Sequence, residues 1–285
     1  MKAGVVGLGI MGGAVATHLH RCGLLAGVYN RSLDKALRFR ELGVYVAKSP
    51  GDLARHVDVV LIFVSDGPDV EEVLFGAGGV AEGARRGLVV VDMSTNSPRW
   101  AVEFAKRLGA LGVEFVDAPV TGGQRGAVEG TLVVMAGGRE DVVASLTPVF
   151  KCFSKEVVYV GPVGSGQALK LVNQLVVALN TVAMVEGIRL AEALGLDLGK
   201  AAGVLSKGAA RSGSIDLYLD KLLAGDLSPG FKAAHLKKDL GYVLEVAKSL
   251  GLELPGAALA FELYKKMVEL GWGELGIHGL GLVYR

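Results

Sequence analysis

The 285-residue sequence predicts an α/β domain followed by an all-helical domain, with a long helix joining the two. Short apolar runs of strand length alternate with helical patterns from the start of the chain to about residue 160. Strand-like runs stop near Gly161, and a long apolar helical pattern follows from Gly166 to Leu194. A chain of this length exceeds the usual size of one domain. The predicted domains are therefore 1–162 and 163–285.

The strand-like runs are rich in β-branched residues, and many lack the polar alternation of a sheet with one wet face. This composition favours a largely parallel sheet that helices cover on both faces. In chain order the runs are KAGVV, LLAGVY, VYVA, DVVLIFV, LVVVDM, VEFVDA, TLVVMAGG and VVYV.

Helix ends are marked by capping residues. Ser49 and Ser97 each precede a proline, which is the pattern of an N-cap followed by proline at the first helical position, and Gly43 stands where a C-cap glycine belongs. The Gly/Pro cluster GPVGSG separates the two halves of the chain. The later helices are predicted to begin near Lys200, Ile215, Ala233 and Gly256.

Composition excludes several functional classes. The formal net charge is +1, and acidic and basic residues are interspersed, so a nucleic acid or an anionic membrane surface is not an expected partner. Polar residues interrupt the apolar segment 168–190, which therefore predicts a buried helix and no membrane span. Cys22 and Cys152, the only cysteines, lie far apart in sequence and form no metal motif. A small-molecule ligand and a cytoplasmic location are expected.

The first informative motif is GLGIMG, in which Gly7, Gly9 and Gly12 form a G-x-G-x-x-G pattern. The motif follows a strand-like run and opens a helical pattern that continues to about Arg21. In this context the backbone N–H groups and the helix dipole can bind a pyrophosphate. The sequence therefore predicts a Rossmann dinucleotide-binding domain.

The end of the second strand bears on the choice of nucleotide. An NAD site usually has Asp or Glu here to bind the ribose hydroxyls, whereas this chain has Asn30, followed by Arg31 and Ser32. An amide does not repel a 2′-phosphate, and a guanidinium with a hydroxyl can bind one. These residues favour NADP over NAD, although NAD remains possible and Arg31 could simply be a solvated surface residue.

Two further motifs could bind or transform a substrate. In DAPVTGG, consecutive backbone N–H groups at Thr121, Gly122 and Gly123 form either a carboxylate site or a plain glycine turn. In GSGQALKLVNQ, Lys170 lies on an otherwise apolar helix, with Asn173 on the same face. A buried lysine suits proton transfer, but a lysine can also reach solvent through its long stem.

Other polar residues have weaker signals. The cluster KKDL, residues 237–240, is by default a solvated charged turn. Asp92 is either a hydrogen-bond acceptor at the end of a strand or a turn residue. The sequence identifies no catalytic partner for His18, His20 or His235, which are interpreted as structural or surface residues.

The motifs GLGIMG, NRS, DMST, DAPVTGG, GSGQALKLVNQ and KKDL, in this order, resemble those of the β-hydroxyacid dehydrogenases. The resemblance extends from Met1 to about residue 245. It implies that Lys170 is the catalytic lysine, that Asn173 positions the substrate and the lysine, and that Thr121, Gly122 and Gly123 bind the substrate carboxylate.

The same resemblance implies a set of cofactor-binding residues. They include the backbone after the fourth strand, a threonine after the fifth strand, and a lysine of the second domain that closes over the nucleotide. The set comprises Gly7, Leu8, Gly9, Ile10, Met11, Gly12, Asn30, Arg31, Ser32, Val64, Ser65, Thr95 and Lys238.

The chain departs from the family pattern at three places. Thr121 stands where serine is usual, and it retains a hydroxyl. Gln174 replaces the second of two asparagines that follow the lysine, and the frequent C-terminal pattern G-x-x-D-x-S-A is altered to one with Gly276, His278 and Gly279. A different substrate preference is one expectation from these changes.

The expected function is hydride transfer between NADP(H) and a short-chain 3-hydroxy acid such as 3-hydroxyisobutyrate or serine, with Lys170 as general acid/base and without a metal ion. One alternative is a glyoxylate, succinic or tartronate semialdehyde reductase of the same family. Another is a protein that binds NADP(H) as a sensor or scaffold without catalysis. A homodimer or homotetramer is expected because the helical half is very apolar.

Overall fold

The computed structural model describes residues 1–284. The chain divides into two compact units, Met1–Lys170 and Leu171–Arg285. The first unit extends past the predicted boundary after residue 162 and includes the first turns of the long helix. Each unit has a hydrophobic core of its own.

Within the described residues of the first unit, nine strands form one sheet. Each of the eight strand-like runs overlaps one strand, and the additional strand, β7, is only two residues long. The strands are β1 (Ala3–Val6), β2 (Leu25–Tyr29), β3 (Tyr45–Val46), β4 (Val59–Ile62), β5 (Val89–Asp92), β6 (Glu114–Asp117), β7 (Val120–Thr121), β8 (Leu132–Gly137) and β9 (Ser154–Gly161).

The strand order is β3-β2-β1-β4-β5-β6-β8-β7, and β9 pairs with β8. Strands β1 to β6 are parallel, β8 is antiparallel to β6 and β7, and β9 is parallel to β8. The order reverses at β1, which lies between β2 and β4. In such sheets ligands bind outside the carboxyl ends of the strands near this point. The prediction of a largely parallel, Rossmann-type sheet is confirmed.

Strand β4 shows why the sheet is buried on both faces. All four of its side chains are fully buried. Val59 and Leu61 belong to the hydrophobic cluster on one face, whereas Val60 and Ile62 belong to the cluster on the other. Successive side chains of a strand point to opposite faces, so an uninterrupted apolar strand requires helices on both sides.

Helices cover this sheet, and their capping agrees in part with the prediction. The Ser49 hydroxyl accepts the N–H of Asp52 at 3.0 Å, but the side chain of Ser97 makes no capping hydrogen bond although the helix starts at Pro98. The helices are α1 (Ile10–Arg21), α2 (Asp34–Glu41), α3 (Pro50–His56), α4 (Gly67–Phe75), α5 (Pro98–Gly109), α6 (Gly123–Glu129), α7 (Glu140–Ser145), α8 (Thr147–Phe150) and the start of α9 (Ser165–Ala193), with a 3₁₀ turn at Val80–Gly83.

The second unit is helical, as predicted. Its core includes Tyr264, Leu236 and Met267, together with Ala178 and Val185 of α9. The unit contains the rest of α9, then α10 (Leu198–Leu205), α11 (Gly213–Leu223), α12 (Ala233–Ser249), α13 (Pro255–Glu269) and a 3₁₀ segment at Ile277–Tyr284.

Helix α9 is long and apolar enough, by length and composition alone, to cross a membrane. Within the apolar 18-residue stretch of this helix that meets the criterion, 44% is buried inside the structure. A core helix of a globular protein has the same properties, and α9 contributes Ala178, Val182 and Met184 to the core of the second unit. Its role in this structure is that of a core helix.

Candidate active site

The glycine-rich loop connects β1 to α1, as the motif predicts. Gly7 has a φ of +88°, and a Cβ atom there would collide with the carbonyl oxygen of Phe63. A Cβ atom at Gly12 would collide with the carbonyl oxygen of Gly7, so this glycine lets α1 pack closely on the loop. Gly9 faces open space, since a Cβ atom there would have no neighbouring heavy atom within 4 Å. The loop thus has room for a ligand at Gly9 and none at Gly7 or Gly12.

Asn30 binds the glycine-rich loop directly. Its Oδ1 accepts the backbone N–H of Leu8 at 2.8 Å, and its Nδ2 donates to the carbonyl oxygen of Ser32 at 2.8 Å. The amide therefore fixes the loop after β1 against the turn after β2. Arg31 and Ser32 are both exposed in this turn.

Two other strand ends contribute to the same edge of the sheet. Val64 and Ser65 follow β4, and the N–H of Val64 donates to Oγ of Ser94 at 3.1 Å. Thr95 follows β5 and is partly buried. The loops that carry the predicted cofactor residues of the first unit therefore follow β1, β2, β4 and β5, which are parallel neighbours.

Asp92 is a hydrogen-bond acceptor at the end of β5, which was one of its two interpretations. It is fully buried. Its Oδ1 accepts the N–H of Ser94 at 2.9 Å, and its Oδ2 accepts from Nδ2 of Asn96 at 2.6 Å. These bonds shape the loop in which Thr95 lies.

Asp117, at the end of β6, holds the start of α9. Its Oδ1 accepts the N–H of Gly164 at 2.7 Å, and its Oδ2 accepts the N–H of Gln167 at 2.8 Å. A Cβ atom at Gly137 would lie 2.7 Å from Oδ1, and one at Gly166 would lie 2.9 Å from Oδ2. Any larger residue at Gly137 or Gly166 would therefore collide with the carboxylate of Asp117.

The surroundings of Asp117 change its acidity. The pKa of Asp117 is raised to about 7, chiefly by burial and to a smaller extent by the neighbouring carboxylate of Asp92, although the N–H bonds from Gly164 and Gln167 act to lower it. Asp92 and Asp117 are paired residues of the adjacent strands β5 and β6. Two carboxyl groups are therefore buried side by side at this edge of the sheet.

Gln167 ties the first turn of α9 to the loop after β5. Its Oε1 accepts the N–H of Asn96 at 3.1 Å, and its Nε2 donates to the carbonyl oxygen of Ser94 at 2.8 Å. The side chain is fully buried. Gln167 and Asp117 together fix the part of α9 that precedes Lys170 by one turn.

Lys170 is buried beside the DAPVTGG loop. The residue is only 7% exposed, and its Nζ donates to the carbonyl oxygen of Val120 at 2.8 Å. Thr121, Gly122 and Gly123 follow directly, with φ values of +123° and +62° at the two glycines. The structure therefore brings the predicted catalytic lysine next to the predicted carboxylate loop, and excludes a solvent-exposed lysine at this position.

In the second unit, Asn173 begins a chain of polar contacts. Its Nδ2 donates to Oε1 of Gln174 at 2.9 Å, and Nε2 of Gln174 donates to Oδ2 of Asp239 at 2.6 Å. Asp239 is 1% exposed, and its Oδ1 lies 3.2 Å from Nζ of Lys238. Gln174 thus has a defined hydrogen-bonding role, and within KKDL the partly buried Lys238 forms an ion pair with the buried Asp239 on α12 rather than a solvated turn. That Lys238 binds the nucleotide stays a prediction.

His18 and His278, two of the five histidines, have structural partners. Nε2 of His18 lies 3.1 Å from the carbonyl oxygen of Ala127. His278 is fully buried, lies 2.7 Å through Nε2 from the carbonyl oxygen of Asp226 and stacks on Tyr218, and burial lowers its pKa. Among residues 1–284, no group of three His, Cys, Asp or Glu side chains could hold a metal ion.

Sequence reasoning gave no role to Asp117, Gln167 or Asp239, although they lie within the motifs DAPVTGG, GSGQALKLVNQ and KKDL. A polar side chain at the end of a buried strand, or on the apolar face of a helix, must be hydrogen-bonded. The polar character of these three residues was therefore a signal that each has a partner. The partners themselves are distant in sequence, and the motifs do not identify them.

The arrangement suits proton transfer at a carboxylate-bearing ligand. An ammonium group on a buried stem can donate a proton within hydrogen-bond reach, and adjacent backbone N–H groups can bind an anion. The open space at Gly9 and the N-terminus of α1 suit a pyrophosphate.

Comparison with known protein families agrees with this geometry. The family model for the NAD-binding domain of 6-phosphogluconate dehydrogenase matches residues 2–161. The model for the NAD-binding domain of NADP-dependent 3-hydroxyisobutyrate dehydrogenase matches residues 164–280. Together they account for nearly the whole chain.

Individual relatives match over most or all of their length. The chain is 41% identical to the probable 3-hydroxyisobutyrate dehydrogenase-like 1 of Arabidopsis thaliana, over 98% of this chain and 84% of that protein. It is 37% identical to the 2-hydroxy-3-oxopropionate reductase of Escherichia coli, over 96% and 94%. The solved structure of Psf3 in complex with NADP⁺ and 2-OPP has a TM-score of 0.91 and 27% identity, over 99% of this chain and 100% of that one. The chain therefore belongs to the β-hydroxyacid dehydrogenase family of NAD(P)-dependent oxidoreductases.

Proposed function

We propose that the protein catalyses reversible hydride transfer between NADP(H) and a short-chain 3-hydroxy acid, either 3-hydroxyisobutyrate or a related compound such as serine. The observation that carries this proposal is the position of Lys170. Its buried Nζ lies 2.8 Å from the carbonyl oxygen of Val120, directly before the backbone N–H groups of residues 121–123.

Lys170 transfers the proton to or from the substrate oxygen. The bound nicotinamide supplies or accepts the hydride. In reduction, the ammonium group of Lys170 donates a proton to the developing alkoxide, and in oxidation the neutral amine accepts the hydroxyl proton. Because a free lysine titrates near ~10.4, oxidation should be favoured at alkaline pH.

The substrate carboxylate is assigned to the DAPVTGG loop. The N–H groups of Thr121, Gly122 and Gly123 and the Thr121 hydroxyl are the donors, and Gly122 is exposed. A bound carboxylate here would orient the hydroxyl-bearing carbon toward Lys170. Asn173, on the same helix, is assigned to positioning the substrate.

The cofactor residues fit NADP. Gly9 leaves the N-terminus of α1 open for the pyrophosphate. Asn30 has no negative charge, and Arg31 and Ser32 are exposed at the end of β2, where a 2′-phosphate would be bound. The absence of an acidic side chain at this position favours NADP, with NAD as the weaker cofactor.

The second candidate is a semialdehyde reductase, which works mainly toward the alcohol. The 37% identity to an E. coli protein named 2-hydroxy-3-oxopropionate reductase favours it. The same lysine and the same carboxylate loop serve both directions, so kinetics must distinguish them.

The test is an absorbance assay of NADPH and NADH with purified protein. The panel consists of 3-hydroxyisobutyrate, serine, glycerate, glyoxylate, and tartronate and succinic semialdehydes, at neutral and alkaline pH. We expect turnover with NADP on one of the acids. A preference for a semialdehyde would select the second candidate, and tight NADPH binding without any turnover would indicate a sensor or scaffold instead.

We further propose a homodimer or homotetramer in the cytoplasm. Val172, Val176 and Leu190 lie on one face of α9 and are each more than half exposed. A second copy of the chain would cover this stripe. Sedimentation velocity of the wild type and of a Val176→Glu variant measures the oligomeric state of each, and the variant should associate less.

A further inference from the structure

Arg38 is a charged residue close to the glycine-rich loop, and the proposed function gives it no role. It lies on α2 and is exposed. A Cβ atom at Gly13, in the first turn of α1, would lie 2.6 Å from Nη2 of Arg38, which is closer than van der Waals contact allows. The guanidinium group therefore occupies the space that a side chain at position 13 would otherwise take.

This position places Arg38 at the end of the loop that faces β2. The carbonyl oxygen of Leu8 lies 3.4 Å from the same Cβ position at Gly13, so Leu8 and the guanidinium group approach one point. The N–H of Leu8 is bound by Asn30, and Arg31 follows Asn30 directly. In Rossmann domains the residues after the second strand bind the adenosine ribose. Arg38 thus approaches, from α2, the end of the site where a 2′-phosphate would lie.

Packing against an aromatic ring holds the guanidinium group in place. Cζ of Arg38 lies 4.7 Å from the ring centroid of Phe39, which is almost fully buried. A cation over an aromatic face is attracted to the ring. Among residues 1–284, no acidic side chain pairs with Arg38 and no protein oxygen accepts a hydrogen bond from it. Its N–H donors are therefore available to a ligand.

The charge of Arg38 is unfavourably placed for the protein alone. The N-terminus of a helix has a partial positive charge, so a cation beside it is repelled. The first turn of α1 contains no acidic side chain that would offset this repulsion. A bound anion would remove it, and a planar guanidinium group can donate to two phosphate oxygens at once.

We propose that Arg38, together with Arg31, binds the 2′-phosphate of NADP(H), and that Gly13 leaves the space in which the Arg38 guanidinium group lies. A phosphate monoester carries roughly two negative charges at neutral pH, so two guanidinium groups match its charge. The inference rests on the proposed preference for NADP and deepens it by naming a second residue that selects the nucleotide. It does not depend on the substrate or on Lys170.

The experiment measures the Kd of NADPH and of NADH by fluorescence titration, because these nucleotides differ only in the 2′-phosphate. Arg38→Ala should raise the Kd of NADPH by roughly 10–100-fold, as expected for a lost hydrogen bond between charged groups, and leave that of NADH unchanged. Arg38→Lys keeps the charge without the planar fork, so its Kd for NADPH should be intermediate. Arg40→Ala, at an exposed arginine two residues further along α2, is the control and should bind both nucleotides as the wild type does.

A Gly13→Ala variant tests the placement of Arg38 without removing its charge. The new methyl group takes the place of Nη2, and the flexible end of Arg38 must move away. We expect a smaller increase in the Kd of NADPH than in Arg38→Ala. Adding Gly13→Ala to Arg38→Ala should have no further effect, because the group that the methyl displaces is then absent. Calorimetry of the unliganded variants should give similar thermal midpoints, since Arg38 is exposed.

Three results would overturn the inference and leave the preference for NADP standing. The first is an unchanged Kd for NADPH in Arg38→Ala, when the wild type binds NADPH more tightly than NADH. The second is an equal loss of affinity for both nucleotides, which would assign Arg38 to the pyrophosphate that they share. The third is additive effects of Gly13→Ala and Arg38→Ala, which would separate the glycine from the guanidinium group. A wild type that binds NADH as tightly as NADPH would overturn both this inference and the proposed preference for NADP.

Discussion

The carboxylate of Asp117 accepts the backbone N–H of Gln167 at 2.8 Å, so the end of β6 determines where α9 begins. Lys170 lies three residues further along the same helix and contacts the backbone at Val120, three residues beyond Asp117. The carboxylate thus acts on Lys170 through one turn of helix. It is a positioning residue and has no direct contact with the proposed reacting atoms.

Replacing Asp117 with Asn should therefore lower kcat more than it raises KM. The amide offers one acceptor oxygen where two N–H groups need acceptors, and its NH₂ group faces a donor. We expect a loss of stability of roughly 1–3 kcal/mol and a reduced kcat, because a small displacement of a proton donor is costly. Steady-state kinetics and urea denaturation measure both, with the exposed Asp141→Asn as the control. Normal kcat in a destabilised variant would contradict the positioning role.

Asp117 should also contribute a pH dependence to stability. Burial raises its pKa from 3.8 to about 7, so between these values the folded chain binds a proton that the unfolded chain releases. The stabilising contribution is fully present below pH 3.8 and is lost as the pH rises through about 7. The free energy of unfolding of the wild type should fall across this window relative to that of Asp117→Asn. Parallel curves in a pH series of urea titrations would refute the assignment.

Replacing Lys170 with Ala should abolish most turnover and leave nucleotide binding intact. General acid/base groups contribute roughly 10²–10⁴-fold to the rate, and kcat should fall by that factor. Lys170→Arg should be similarly slow, because a guanidinium does not release its proton. NADPH fluorescence titration checks that the site is still formed. Unchanged kcat in Lys170→Ala would exclude the lysine as the proton donor.

Two alanine substitutions in the glycine-rich loop should have different effects. Gly9→Ala meets open space, so the free energy of unfolding should hardly change, whereas the methyl group should obstruct the pyrophosphate and weaken NADPH binding. Gly12→Ala should destabilise the fold by roughly 1–3 kcal/mol, because its methyl group collides with the backbone at Gly7. Calorimetry and NADPH titration separate the two effects. Equal destabilisation by both changes would be inconsistent with the open space at Gly9.

Replacing Arg31 with Ala should affect NADPH alone. Loss of a hydrogen bond to a charged group costs roughly 1.5–3 kcal/mol, which corresponds to an increase in KM for NADPH of about 10–100-fold. The KM for NADH should stay as it is in the wild type, since NADH has no 2′-phosphate. Arg40→Ala, an exposed arginine on α2, serves as the control. A parallel rise for both nucleotides would show that Arg31 does not distinguish them.

Local patterns were sufficient to predict most of the fold. The uninterrupted apolar character of Val59–Ile62 predicts a buried parallel strand, and the glycine spacing from Gly7 to Gly12 predicts a tight turn into a helix. By contrast, β7 is too short for any periodicity to appear. The antiparallel direction of β8 could not be predicted either, because side-chain alternation is the same in both directions.

The candidate site was predictable where one side chain breaks a local rule. Lys170 is a charged residue in an otherwise apolar stretch of helix. The structure shows that its side chain is buried, which is unusual for a lysine. The contacts of Asp117 with Gly164 and with Gln167 join segments that are distant in sequence. Such pairings depend on the packing of the whole unit, and one sequence contains no local signal for them.

The partner of Lys170 is a main-chain carbonyl, and this affects how the site tolerates mutation. Any substitution at Val120 that preserves the backbone leaves the acceptor oxygen in place. The side chain of Val120 is buried and belongs to the hydrophobic core of the first unit, so the fold itself restricts this position to apolar residues of similar size. Within that limit, sequence change at position 120 leaves the hydrogen bond of Lys170 intact, and the acceptor needs no selection of its own.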